Sequence, residues 1–130
     1  MTPLLSLVIY MTLLTFLAIM LGAFLRNREW TAEGFRAGLS NRDDLPEATP
    51  LGGRAERAAG NSIEALLLFV PLALVAHLAG KGDEVLLGAQ IFVAARLVYL
   101  PVYLLGIVYL RSLVWGVGVA GLAMMAMALV

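Results

Sequence analysis

The stretch TPLLSLVIYMTLLTFLAIMLGAFL, from Thr2 to Leu25, carries no charged residue. A helix that crosses a bilayer needs about 20 mostly apolar residues, and this run meets that requirement alone. No basic residue precedes it, and it is longer than the apolar core of a cleaved signal, so it predicts a retained membrane helix. The same reading extends along the chain. Ala65 to Gly80 has no charge beyond that of His77, Val85 to Leu110 is broken only by Arg96, and Ser112 to Val130 has none. The second of these stretches reaches spanning length if its helix starts near Arg54 and takes in Asn61 and Glu64. The predicted fold class is an all-α integral membrane protein. A four-transmembrane-helix bundle has helices near 3–25, 54–79, 84–109 and 112–130, and a long polar loop at 26–53, in one membrane domain over 1–130.

Composition agrees. Hydrophobic residues make up 62% of the 130 positions and charged residues 14%, against roughly 25% in an ordinary soluble domain. Mean hydropathy is +0.92. Such a chain lacks the polar residues to cover a soluble surface, and it is too apolar to be disordered. Cysteine is absent, which excludes disulfides and thiolate metal sites. A single histidine makes no metal site. Lys+Arg 9 against Asp+Glu 9 gives no basic field for nucleic acid.

The connections differ in kind. Glu29 to Phe35 predicts a short helix lying on the membrane, with Trp30 and Phe35 at headgroup level. Asn41-Arg42-Asp43-Asp44 and Pro46 read as turns. Gly80-Lys81-Gly82-Asp83 reads as a tight turn with Asp83 capping the third span. Pro101 falls mid-helix and predicts a kink. Gly116, Gly118 and Gly121 predict close helix approach. Arginines 26, 28, 36, 42, 54 and 57 border or occupy the long loop, Arg111 falls on the same side, and only Lys81 lies opposite. The positive-inside rule then makes the long loop cytoplasmic and puts both termini outside.

Ionisable residues inside a span cost at least ~2.5–3.5 kcal/mol at its centre, and they normally face the bundle interior and pair. On the second span Arg57, Asn61 and Glu64 are spaced i, i+4, i+7 and share one face. On the third, Arg96, Tyr99 and Tyr103 are spaced i, i+3, i+7 and do the same. Two readings stand side by side. Glu64 and Arg96 form a buried salt bridge that only ties helices together, or the stripes line a pocket for an anionic ligand. Arginine forks suit carboxylates, asparagine both donates and accepts, and glutamate holds an ammonium. A zwitterionic, multiply carboxylated small molecule fits such a set. No phosphate loop, nucleophile elbow or pair of catalytic aspartates is present.

Those motifs resemble the MAPEG family, the membrane-associated proteins in eicosanoid and glutathione metabolism. They are Glu56-Arg57-x-x-x-Asn61-x-x-Glu64, Arg96-x-x-Tyr99-x-x-x-Tyr103 and Arg111-Ser112. Tyr99-Leu-Pro101-Val-Tyr103 and Leu110-Arg111-Ser112-Leu113-Val-Trp115 look most like the short bacterial branch. The resemblance implies a homotrimer in a bacterial inner membrane, with glutathione as co-substrate in a cleft between subunits. It implies glutathione contacts from Arg57, Asn61, Glu64, Arg96, Tyr99 and Tyr103, with Arg28 or Arg26 reaching in from a neighbouring subunit. Arg111 would hold the thiolate, aided by Tyr103 or Ser112. Positions that are polar in some members are the small residues Ala59 and Gly60 here.

The function so implied is a membrane-bound glutathione-dependent transferase or peroxidase acting on lipophilic electrophiles or lipid hydroperoxides. One alternative is a non-catalytic protein of the same fold, binding lipid or a small anionic ligand. Another is a small four-span multidrug transporter. That class depends on a first-helix glutamate, and Thr2 to Leu25 contains no acid.

Overall fold

Threonine followed by proline opens two of the five helices. In the computed structural model, which describes residues 1–130, the Thr2 hydroxyl accepts the Leu5 N–H at 3.2 Å and the Thr49 hydroxyl accepts the Gly52 N–H at 3.0 Å. Each proline then sits in the first helical turn, where a missing N–H costs nothing. The resulting helices are α1 (Pro3–Asn27) and α3 (Pro50–Leu78). Between them α2 (Ala32–Leu39) is capped by Thr31, whose hydroxyl accepts the Gly34 N–H. It begins three residues after the start of the predicted Glu29–Phe35 segment, and Trp30 and Phe35 are exposed as expected. Two more helices follow, α4 (Gly82–Leu104) and α5 (Val108–Leu129). Four of the five, α1, α3, α4 and α5, are long and apolar enough to cross a membrane.

The boundaries differ from the sequence reading where local capping decides them. The second span starts at Pro50 rather than near Arg54, because the Thr49-Pro50 cap lies a turn earlier. The third ends at Leu104 rather than near 109. There Gly106 adopts φ +74°, its N–H bonds the Tyr103 carbonyl at 3.0 Å, and the Ile107 N–H reaches back to Val102 at 3.3 Å. This pair of reversed bonds closes a helix C-terminus around a left-handed residue, a conformation glycine adopts at least cost. Pro101 therefore lies in the last turn of α4, not mid-helix. The fourth span starts at Val108, which puts Arg111 inside its first turn. Asp83 is not a cap: the cap position is Lys81, with no side-chain bond, and Asp83 sits in the first turn of α4.

The helices associate through small-residue stripes. α1 packs on α3 and α4 on α5, and α4 also touches α1 and α3. The buried face of α3 reads Gly52, Ala55, Ala58, Ser62, Ala65, Phe69, Ala73, Ala76. Gly88 and Gly121 put α4 and α5 nearly backbone to backbone, since a Cβ on Gly121 would lie 2.6 Å from the Gly88 carbonyl oxygen. Gly118 also faces α4, whereas Gly116 meets nothing within 4 Å, so only two of the three predicted glycines serve the contact. Such residues let membrane helices gain dispersion contacts where no hydrophobic driving force separates protein from lipid. At the core, Phe69 and Phe92 stack at 4.7 Å beside buried Met11, Val85 and Met125. Leu13, Phe16, Leu67, Leu87 and Leu113 face outward, as lipid-contacting residues do.

Candidate functional site

Arg96, on α4, is 4% exposed, the most deeply buried of the arginine, lysine and acidic residues. The predicted Glu64–Arg96 salt bridge is absent. Arg96 Nη1 instead donates to Asn61 Oδ1 at 2.7 Å, and Nη2 donates to Ser62 Oγ at 3.2 Å. Its guanidinium lies over the Tyr99 ring at 4.1 Å, and its Nε is buried without a partner. Neutral oxygens and a ring face thus hold the cation in place of a carboxylate. Glu64, a turn beyond Asn61, is exposed. The reason lies in helix geometry: the buried face of α3 here is Ala58, Ser62 and Ala65, and Glu64 falls to one side of it.

A second arginine layer lies one to two turns nearer the loop end. Arg57 Nε donates to the Tyr103 hydroxyl at 3.3 Å. Arg111, from the first turn of α5, lies 5.0 Å from the centre of the Tyr103 ring. Tyr99 and Tyr103 meet edge to face at 5.4 Å. Arg54 Nε donates to the Leu104 carbonyl at 3.0 Å, so α3 grips the end of α4 at two points, one on the backbone and one on a phenol. The cation also complements the negative end of the α4 dipole.

Two adjoining cavities open between α3 and α5. The polar one, about 260 Å³, is lined by Asn61, Tyr99, Arg111, Ser112 and Trp115. The other, about 150 Å³, shares Asn61 and Trp115, takes in Glu64 and Arg96, and is otherwise apolar. The structure thus gathers Asn61, Tyr99, Arg111 and Ser112 on one cavity, with Arg57 and Tyr103 bonded beside it and Glu64 and Arg96 on its neighbour. Arg28 lines neither cavity of its own chain. Nor does Arg26, which pairs with Glu56 at 3.2 Å.

Sequence reasoning missed three participants. Ser62 is the one polar residue in the small-residue stripe of α3, and that interruption was a readable signal. Trp115 was visible only as part of a motif. The bond from Arg54 to a backbone carbonyl leaves no side-chain signature at all. His77 is exposed near the end of α3.

This geometry defines a four-span helical membrane protein with a tyrosine- and arginine-lined polar pocket near one end of the bundle. The family model described as the MAPEG family matches residues 3–130, and the chain belongs to that family. It is a family of membrane proteins of the glutathione-related transferase and peroxidase type. No curated protein and no solved structure gave a match.

Proposed function

We propose that the chain is a membrane-bound glutathione-dependent transferase or peroxidase that works by thiolate activation, with lipophilic electrophiles or lipid hydroperoxides as its second substrate. The observation that carries this reading is the cavity where Arg111, Ser112, Tyr99 and Asn61 converge. A free thiol has a pKa near 8.5, so little thiolate exists at neutral pH. The Arg111 guanidinium at the start of α5 stabilises the anion, and the positive end of the helix adds to it. Ser112 and the Tyr103 hydroxyl are hydrogen-bond donors for the sulfur.

The rest of the tripeptide matches the remaining polar groups. Arg57 offers a fork for a carboxylate. Asn61, fixed by Arg96, offers an amide to backbone-like groups, and Glu64 offers a carboxylate to an ammonium. Arg96, Tyr99 and Tyr103 act mainly by holding Asn61 and Arg57 in place. Glu64 is exposed in mid-span without an ion pair, which is costly in lipid. A homotrimer relieves that cost by closing the cavity with a neighbouring copy, whose Arg28 is then available to the ligand. The asymmetry of arginines supports a cytoplasmic 26–53 segment and outer termini, in a bacterial inner membrane.

The test is calorimetric titration of glutathione into detergent-solubilised protein, with a conjugation assay on the same sample. Saturable binding with turnover supports an enzyme. Binding without turnover supports the non-catalytic alternative, and no binding overturns both the ligand and the mechanism.

A further inference from the structure

A groove of about 560 Å³ runs between α1 and α4 and shares no residue with the two cavities between α3 and α5. Small-molecule sites span about 300–1,000 Å³ and are mostly apolar, with a few placed polar groups. The walls here include Leu13 and Leu17 from α1 and Val93 and Leu97 from α4, interrupted by Tyr10 and Gln90. Both of these side chains are exposed, and neither makes a hydrogen bond within the chain. No charged residue lines the groove.

Tyr10 and Gln90 sit at nearly one depth. The two helices start side by side, with the Leu4 side chain 3.8 Å from where a Cβ on Gly82 would be. Tyr10 is seven residues past Pro3 and Gln90 eight past Gly82, about 10 and 12 Å along. Helices of 25 and 23 residues overhang a ~30 Å hydrocarbon core by only a few ångströms at each end. Gln90 therefore lies about 10 Å inside that core. A tyrosine at this depth still reaches toward the headgroups, as belt residues do; the shorter glutamine does not. An unbonded amide there is costly, because no water is present to satisfy it. A second copy of the chain, docking through α3 or α5, brings no side-chain partner. At the same depth, residues 66–74 and 117–125 are all apolar or glycine.

We infer that the α1–α4 groove binds a neutral, single-tailed lipophile whose head is a carbonyl or hydroxyl oxygen. The Gln90 amide and the Tyr10 hydroxyl each donate a hydrogen bond to that oxygen. The tail runs along Leu13, Leu17, Val93 and Leu97 toward the middle of the membrane; from Tyr10 to Leu17 the rise is about 10 Å. With no cation in its lining, the groove has no counter-charge for a phosphate or carboxylate head. Such heads stay in the polar layer of the bilayer, so ordinary phospholipid leaves Gln90 unbonded.

The test is competitive photolabelling of the full chain in phosphatidylcholine nanodiscs, without glutathione. The probe is a methyl ketone with a diazirine midway along an undecyl tail, and mass spectrometry reads the labelled residues. Saturable labelling of the groove residues of α1 and α4 is expected. Methyl undecyl ketone or the matching alcohol should displace the probe, and the stronger of the two identifies the oxygen. Tridecane, which lacks the oxygen, and tridecanesulfonate, which adds a charge, should not. Gln90→Leu, which only makes a lipid-facing surface more apolar, should weaken the ketone or alcohol by about 3–10-fold, the scale of one lost hydrogen bond. Tyr10→Phe should act in the same direction, and Ala94→Trp, which fills the groove, should abolish labelling. Displacement by tridecane as strong as by the ketone and the alcohol means that the groove only dissolves hydrocarbon, and the inference fails. So does affinity indifferent to both Gln90→Leu and Tyr10→Phe. A groove that no probe labels in the assembled protein, with Gln90→Leu releasing monomers, means that a second copy covers it, which also overturns the inference. None of these outcomes bears on the glutathione chemistry proposed above, so the two readings stand or fall separately.

Discussion

Arg96 carries a full charge into the bundle with no carboxylate beside it, and its two oxygen partners on α3 share the task of holding it. Removing one leaves a buried charged donor unsatisfied, at a cost of about 1–3 kcal/mol. Ser62→Ala should therefore lower the melting temperature in detergent, and Ser62→Thr, which keeps the hydroxyl, should recover most of the loss. Equal melting of Ser62→Ala and wild type would remove Ser62 from the network. Glu64 gives the opposite expectation. Because it is exposed and does not pair with Arg96, Glu64→Gln should leave melting unchanged while weakening glutathione binding. A drop in melting as large as that of Ser62→Ala would restore the direct pair that the sequence suggested.

At the scale of elements, the α4–α5 connection decides where Arg111 stands. The Arg54 bond to the Leu104 carbonyl and the left-handed Gly106 fix the turn from which α5 departs. Small misplacements of a catalytic group are costly, reaching about 10²-fold for 1 Å. Arg54→Ala should slow turnover by roughly 10-fold or more while glutathione affinity stays within about twofold, measured by steady-state kinetics beside calorimetry. A change in affinity alone would make Arg54 a ligand contact instead. The α4–α5 crossing offers a paired test. Gly121→Ala forces a methyl group against the Gly88 carbonyl and should cost about 1–3 kcal/mol. Gly116→Ala, with nothing within 4 Å, should be neutral in thermal unfolding. The four spans were legible from charge placement, because lipid tolerates charges only at the ends or in pairs. So were the shared faces of Arg57, Asn61 and Glu64 and of Arg96, Tyr99 and Tyr103, because helical spacing fixes them. The Asn61 and Ser62 partners of Arg96 were not, since spacing gives a face but not the rotation of one helix against another. The end of α4 at Leu104 was missed because an apolar run continues through Leu110 and hides a turn that backbone bonds create.

For the whole molecule, an open cavity and an unpaired mid-span glutamate call for a neighbour. Mass determination in mild detergent should give a particle of three copies of the 13.9 kDa chain, and a monodisperse monomer would contradict the shared cleft. Every arginine outside Arg96 lies toward one end of the bundle and Lys81 toward the other, so a residue in 41–48 should be labelled only from the cytoplasmic side of oriented vesicles. The central claim is that this assembly holds glutathione as a thiolate through Arg111. It is tested most directly by the ultraviolet thiolate absorbance that appears when glutathione is added to the purified protein at neutral pH, in wild type beside Arg111→Ala. Wild type should show the thiolate band. Arg111→Ala should bind glutathione with similar affinity but show the band only at more alkaline pH, because the thiol regains a pKa nearer 8.5. Turnover should fall by about 10²-fold, the scale of a lost charge-stabilising donor. A thiolate band of equal size at the same pH in Arg111→Ala would contradict the account.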